Sequence, residues 1–158
     1  MTNPLLPHDE PMMLRAIALA KDAAAIGEAP IGAVVYETAT GKILGEGSNR
    51  REIDHDPTAH AELIAIRAAS KTVGDWRLNH CTLVVTLEPC PMCAGLIVNA
   101  RLGRLIYGCK DPKAGATDSL FNLTNDPRLN HRVEPIGGLL ADKCSALLKE
   151  FFKSLRGS

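Results

Sequence analysis

Apolar residues recur along the chain at two spacings, one typical of helices and the other of strands. Between Met12 and Ile26 they recur every three or four positions and Gly27 follows, so this segment is predicted to be a helix with a glycine stop. The runs 31–37 and 42–49 flank the turn sequence TATG and predict an antiparallel hairpin. Four further segments continue as helix, strand, helix and strand: 60–71, 82–87, 90–101 and 104–108.

The order of these elements predicts an α/β fold. A hairpin followed by alternating helices and strands indicates an α/β sandwich with a mixed sheet. Strands 82–87 and 104–108 flank a helix, so they are predicted to be parallel neighbours. Residues 131–136 are predicted to form the fifth and last strand, and 138–156 an amphipathic closing helix.

Length and composition indicate one domain. The chain has 158 residues, of which 46% are apolar, and this suffices for one sizeable core. Three prolines among the first eleven residues predict a flexible lead-in over 1–10, followed by a single domain over 11–156. We find neither a signal-peptide pattern nor an apolar run long enough for a membrane span, so we expect a cytoplasmic protein without membrane contact.

Two surface features point to partners. The segment 90–101 is apolar nearly all round, which predicts burial against the sheet and against a second subunit. The 18 basic and 18 acidic side chains balance, but acidic residues predominate up to residue 100 and basic residues after it. The basic C-terminal part either faces phosphate or is simply solvated, and its composition leaves both readings open.

Two cysteines three positions apart, Cys90 and Cys93, stand at a strand-to-helix junction in the sequence EPCPMC. A helix that begins at Cys90 directs its free amides and positive dipole end at both sulfurs, which favours thiolates. A redox pair, half of a structural zinc site and part of a catalytic zinc site all fit this arrangement. A closed structural site needs a second cysteine pair, whereas the remaining cysteines occur singly and are predicted to be small core residues: Cys81, Cys109 and Cys144.

The sequence HAE at 60–62, at the start of another predicted helix, favours the catalytic alternative. His60, Cys90 and Cys93 supply three ligands and leave a fourth zinc position open for water, as in catalytic zinc sites. Glu62 is close to the ligand His60 without being a ligand itself, so it is placed to handle the proton of that water. H-x-E followed by P-C-x-x-C is the signature of zinc-dependent nucleobase deaminases.

Most of the chain beyond its first ten residues resembles bacterial-type tRNA-specific adenosine deaminases of the cytidine and deoxycytidylate deaminase superfamily. The similar segments are APIGAVV (29–35), GSN (47–49), DPTAHAE (56–62), TLEPCPMCAG (86–95), ARLGRLIYGCKDPKAGA (100–116), NHRVE (130–134) and LLADKCSALLKEFF (139–152). The resemblance implies a three-layer α/β/α sandwich with a five-stranded mixed sheet, one Zn²⁺ per subunit and a homodimer. It also implies hydrolytic deamination of adenosine to inosine at the wobble position of a tRNA anticodon, with the anticodon stem-loop as the binding partner.

The resemblance also assigns roles to single positions. His60, Cys90 and Cys93 match zinc ligands, and Glu62 matches the proton shuttle. Five positions match substrate-binding segments: Asn49, Pro30, Asp111, Asn130 and Phe152. The first is implied to hydrogen-bond the flipped base, the second to belong to the pocket, and the last three to approach the anticodon loop.

Two other functions stay open at this point. A free nucleobase or nucleoside deaminase, acting on guanine or cytosine, would share the zinc ligands, the glutamate and the fold. A redox or metal-storage module built on Cys90 and Cys93 would use the thiols but would leave His60 and Glu62 without a role.

Overall fold

The computed structural model describes residues 5–157, so residues 1–4 of the predicted lead-in lie outside the described residues. In that range the helices are α1 Asp9–Ala25, α2 Ala61–Val73, α3 Pro91–Asn99 and α4 Ala141–Arg156. The strands are β1 Gly32–Glu37, β2 Ile43–Ser48, β3 Cys81–Leu87, β4 Arg104–Cys109 and β5 Pro135–Gly137. None of these helices combines the length and the apolar character that crossing a membrane requires.

The strands form one mixed sheet in the order β2-β1-β3-β4-β5. β1 pairs antiparallel with β2 and with β3, whereas β3 and β4, and β4 and β5, pair parallel. The predicted hairpin and the predicted parallel neighbours are therefore confirmed. The last strand is shorter than the predicted 131–136. The backbone N–H of Val133 bonds to the carbonyl oxygen of Thr124 rather than to β4, and the ring of His131 bonds to the carbonyl oxygen of Leu102.

Helices cover both faces of the sheet, as the three-layer prediction requires. Successive residues of β3 point to opposite faces, so Leu83 packs in the core under α2 and α3, and Val84 in the core under α1 and α4. His60 precedes α2, and Cys90 precedes α3 directly after β3 ends. The carboxyl ends of the parallel strands β3 and β4 and the starts of two helices therefore meet at one edge of the molecule.

Helix α1 begins at Asp9, three residues before the predicted start at Met12. The earlier start follows from the buried carboxylate of Asp9, which binds to groups outside the helix. It forms an ion pair with Arg104 at 2.8 Å and accepts hydrogen bonds from the Leu6 N–H and the Tyr36 hydroxyl. Burial alone would raise the pKa of Asp9, but these hydrogen bonds outweigh it and hold the pKa below its usual value.

Removing the cation of this pair is expected to destabilise the fold. Arg104→Ala leaves the Asp9 carboxylate buried without a counter-charge, which costs about 3 kcal/mol of unfolding free energy, the lower end for buried pairs because Arg104 reaches the surface. The lowered pKa of Asp9 contributes stability above its usual value of 3.8, and this contribution disappears as the pH falls through the folded-state pKa. Urea denaturation of parent and variant at pH 7 and at low pH measures both effects.

The matched control is Arg128→Ala, because Arg128 pairs with Asp126 at the surface, with 87% of its side chain exposed. This variant is expected to unfold almost like the parent protein. Equal losses of stability in the two variants would show that the Asp9–Arg104 pair does not anchor α1 to the sheet.

Candidate active site

The starts of α2 and α3 lie side by side at the edge of the molecule where β3 and β4 end. His60 is the N-cap of α2 and Cys90 is the N-cap of α3, where Pro91 occupies the first helical position. Proline suits that position because it has no N–H that would need an acceptor. The unpaired N–H groups and the positive dipole ends of both helices favour negatively charged sulfur at this place.

The structure brings the three predicted ligands together. Nδ1 of His60 lies 3.5 Å from Sγ of Cys90 and 3.6 Å from Sγ of Cys93, and all three donor atoms lie within 4.8 Å of one another. Metal–sulfur bonds of about 2.3 Å and metal–nitrogen bonds of about 2.0–2.1 Å at tetrahedral angles put nitrogen and sulfur about 3.6 Å apart. Both nitrogen–sulfur distances in the cluster therefore fit a tetrahedral metal ion.

The pKa values of the two thiols in this cluster are shifted in opposite directions. A hydrogen bond from the Cys93 thiol, together with His60, lowers the pKa of Cys90 to about 4, whereas the pKa of Cys93 is raised by the same contact and by burial. A metal ion is ligated by thiolates, so its binding releases the proton of the Cys93 thiol.

Glu62 is a buried carboxyl group beside the cluster. Only 4% of the residue is exposed, and burial raises the pKa of its side chain to about 7. A carboxyl group with a pKa near neutrality can both accept and donate a proton at pH 7, which is the property that general acid–base catalysis needs.

A cavity of about 760 Å³ lies over the cluster and Glu62. Its walls come from the end of β2, the segment that follows β4, and one side of α4. Its volume lies within the range of about 300–1,000 Å³ that is typical of sites for small molecules. The arrangement therefore combines three potential metal ligands, a carboxyl group suited to proton transfer and a space for a small molecule.

Known proteins are similar to this chain over nearly its whole length. The family model of MafB19-like deaminases matches residues 7–156. The tRNA-specific adenosine deaminase of Haemophilus influenzae is 47% identical over 148 residues, which are 94% of this chain and 85% of that protein. This chain belongs to the tRNA-specific adenosine deaminase family.

Two further relatives agree with this membership. The tRNA-specific adenosine deaminase of Bacillus subtilis is 44% identical over 151 residues, covering 96% of this chain and 92% of that protein. A solved structure from studies of A-to-I editing by tRNA:A34 deaminases at the wobble position of transfer RNA has a TM-score of 0.81 and 39% identity, and the match covers 87% of this chain and 98% of that one. The predicted family and the predicted cytidine deaminase-like fold are confirmed, and the protein is a hydrolytic deaminase.

Of the five substrate positions that the family resemblance assigned, three line the cavity: Asn49, Asp111 and Phe152. Pro30 is buried between Ala29 and Ile31, which line the cavity, and is not itself a wall residue. Asn130 is exposed in a turn outside the cavity walls.

Asn49 offers hydrogen-bond donors to the cavity of this deaminase. The residue is 6% exposed, and its Oδ1 accepts the N–H of Arg51, so its oxygen holds the turn after β2. Among residues 5–157 its Nδ2 has no hydrogen-bond partner, so two N–H donors are left for a ligand.

The side chains of Asp111 and Phe152 are held differently. Asp111 shapes its own turn, because its Oδ1 accepts the N–H groups of Lys113 and Ala114. Phe152 lies in α4 with 44% of its surface exposed, and its ring contacts Phe151 edge-on at 5.4 Å. The carboxylate of Asp111 is thus occupied by hydrogen bonds within its own turn, whereas the ring of Phe152 is accessible to a partner.

Further side chains line the cavity beside those that the family resemblance assigned. Cys81 and Cys144 are buried as predicted, but Cys109 is half-buried and lines the cavity. Glu88 also lines it and is 2% exposed, although its position directly after an apolar strand is an unusual place for a charge. Five basic residues complete the walls: Arg51, Lys110, Lys113, Lys149 and Arg156.

Proposed function

We propose that this deaminase converts adenosine to inosine at the wobble position of a tRNA anticodon, with one zinc ion per subunit. The observation that carries the proposal is a proton-carrying glutamate and a three-ligand cluster at the floor of a cavity with basic walls. The names of the relatives support the same substrate. A tRNA substrate agrees with the cytoplasmic location expected from the sequence.

The donor set suits zinc. Two cysteine sulfurs and one imidazole nitrogen at tetrahedral spacing are ligands that zinc prefers, and three protein ligands leave the open position of a catalytic site. Zinc bound by His60, Cys90 and Cys93 supplies Lewis acidity, which lowers the pKa of water at the open position.

Glu62 moves the protons of the reaction. Its carboxylate takes a proton from the water that adds to the amino-bearing carbon of adenine, and it returns a proton to the adjacent ring nitrogen. Glu62 then takes the proton of the added hydroxyl group and delivers it to the amino group, the carbon–nitrogen bond breaks, and ammonia leaves as the carbonyl group of inosine forms. Adenosine and water thus give inosine and ammonia, and the carboxyl group ends in its starting state.

The walls of the cavity suit a nucleic acid. Basic side chains on the segment after β4 and on α4, including Lys113 and Lys149, are placed to contact phosphates. Unstacked loop bases are commonly bound by aromatic rings, and Phe152 offers such a ring at the cavity margin. A base in a loop also costs less to extrude than a base in a duplex.

Asn49 is expected to bind the edge of the flipped base. Asn49→Ala removes the two unused N–H donors and should lower kcat/KM for an anticodon stem-loop by about tenfold, the value of one or two hydrogen bonds. The control is Asn79→Ala, because Asn79 is exposed and does not line the cavity. Steady-state kinetics that give both variants the same kcat/KM would contradict a substrate role for Asn49.

We also propose a homodimer, because apolar side chains are partly exposed on α3 and more than half exposed on the segment that follows β4. Met92 and Leu96 are half-buried in α3, while Leu120 and Phe121 are 53% and 56% exposed. Their segment is joined to the start of α3 by a hydrogen bond from the Ala116 N–H to the carbonyl oxygen of Pro89. An obligate interface typically buries about 2,000 Å² or more in total. A second copy is the occupant that the apolar character of α3 predicts.

Sedimentation at micromolar concentration tests the dimer. Phe121→Glu should shift the protein towards the monomer, because a charge in the interface has no partner. Ile43→Glu places the same charge on an exposed residue of the edge strand β2 and should leave the dimer intact. A parent protein that sediments as an active monomer would remove the proposal.

The substrate proposal is tested with a stem-loop that carries adenosine at the wobble position. Nuclease digestion and mass spectrometry should find inosine at that position and unchanged adenosine elsewhere in the stem-loop. A zinc-loaded protein that forms no inosine in this RNA would contradict the proposal.

A further inference from the structure

Glu88 is a buried carboxylate that the proposed chemistry does not use. It follows β3 directly, lies two residues before Cys90, and is 2% exposed. Its two oxygens accept hydrogen bonds from one segment that follows β4. The donors are the backbone N–H groups of Asp111 at 3.1 Å, Thr117 at 3.2 Å, Asp118 at 2.8 Å and Ser119 at 2.8 Å, and the hydroxyl groups of Thr117 and Ser119.

These bonds fix a segment that has no helix or strand of its own. Residues 110–119, which we call the cavity loop, run from the end of β4 towards the short helical turn at Leu123–Asn125. One carboxylate holds Asp111 near the start of the cavity loop and Ser119 at its end. Hydrogen bonds from backbone N–H groups to a charged oxygen are stronger than neutral ones, so Glu88 is a strong restraint on the shape of the loop.

Two further contacts show how closely the cavity loop is fitted to Glu88. A Cβ atom on Gly115 would lie 2.4 Å from the carboxylate atoms of Glu88, so only glycine permits this approach. The hydroxyl of Tyr107 in β4 donates a hydrogen bond to Asp118, which ties the loop to the sheet a second time.

The first half of the cavity loop is a wall of the substrate cavity. Five successive residues line it: Lys110, Asp111, Pro112, Lys113 and Ala114. Two of them, Lys110 and Lys113, are basic, so this wall offers positive charge to the phosphates of an RNA substrate. The position of this wall therefore depends on hydrogen bonds made by a residue next to the metal cluster.

We propose that Glu88 is a positioning residue for RNA binding, which sets the cavity loop so that Lys110 and Lys113 meet the substrate. It acts through the loop, because both of its oxygens are occupied by hydrogen bonds. The proposal rests on the proposed function, since it assigns the loop to the same RNA substrate. It adds a residue that controls affinity for the substrate rather than the chemical step.

The variant that tests this is Glu88→Gln in the zinc-loaded full chain. Glutamine keeps the shape but turns an N–H₂ group towards N–H donors, so at least one charge-assisted bond is lost. We expect KM for the anticodon stem-loop to rise about tenfold, while kcat and zinc content stay near the parent values. Hydrogen exchange at the amides of Asp118 and Ser119 should become faster, a readout that needs no substrate.

Two more variants separate positioning from general stability. Ser119→Ala removes one donor to Glu88 and should change KM in the same direction by a smaller factor, and it tests the proposal if Glu88→Gln does not fold. Asp9→Asn makes the same carboxylate-to-amide change at a buried anchor that does not line the cavity, so it should lower stability and leave KM unchanged.

The outcomes are distinguishable. A higher KM with unchanged kcat and faster exchange in the cavity loop supports the proposal. Faster exchange with an unchanged KM overturns it, because the cavity loop would then not affect RNA binding. Loss of zinc together with a lower kcat also overturns it, because Glu88 would then act on the ligand Cys90. A parent protein that binds the stem-loop without forming inosine refutes the proposed reaction, and the affinity of the variants for that RNA still decides the role of Glu88.

Discussion

Glu62→Ala is expected to lower kcat on the anticodon stem-loop by about 10²–10⁴-fold, while zinc content and fold are retained. The reason is that Glu62 carries protons but is not a ligand: the three donor atoms within 4.8 Å come from His60, Cys90 and Cys93. Turnover of the stem-loop and zinc content per chain, measured on the same preparation, give the comparison.

Glu62→Gln is the matched control, because it keeps the volume of the side chain and removes only its ability to exchange protons. It should be almost as inactive as Glu62→Ala, so that a cavity left by alanine is not the cause. A Glu62→Ala protein that contains no zinc, or that keeps most of its activity, would show that the assigned role is wrong.

Cys90→Ala is expected to abolish activity by a different route, through loss of the metal. Two remaining ligands, His60 and Cys93, do not hold zinc as three do, so zinc content should fall from one ion per chain to near zero. Zinc analysis after dialysis checks this result directly.

Cys109→Ala is the control for this variant, because Cys109 lines the same cavity without belonging to the cluster. It should keep its zinc and most of its activity. Zinc retained by Cys90→Ala would contradict the proposed ligand set, whereas zinc lost by Cys109→Ala would show that the cluster depends on the cavity wall.

The family, the fold and the three ligands could be predicted from the sequence. Each of them depends on short motifs or on the spacing of apolar residues, which are local patterns. Each ligand stands at a helix start that apolar spacing already predicts, and the parallel pairing of β3 and β4 follows from the helix between them. Once both helices start at the same edge of the sheet, His60 must lie near Cys90 and Cys93.

Residues that act through distant partners were missed. Asp9 was assigned to the lead-in because its partner Arg104 is 95 positions away, and no local pattern marks such a pair. Glu88 bonds to backbone N–H groups, which every residue except proline carries, so the sequence of the cavity loop does not show what Glu88 binds. The walls of the cavity are therefore visible only in three dimensions.

The most direct test of the central claim is a comparison of substrates with the zinc-loaded protein. An anticodon stem-loop with adenosine at the wobble position, guanine, cytosine and free adenosine are each incubated with the same preparation, and ammonia and inosine are measured. We expect rapid inosine formation in the stem-loop and very slow reaction of free adenosine, which lacks the phosphate contacts although its reacting ring is the same. Rapid ammonia release from guanine or cytosine, with the stem-loop unchanged, would contradict the account and identify a free-base deaminase.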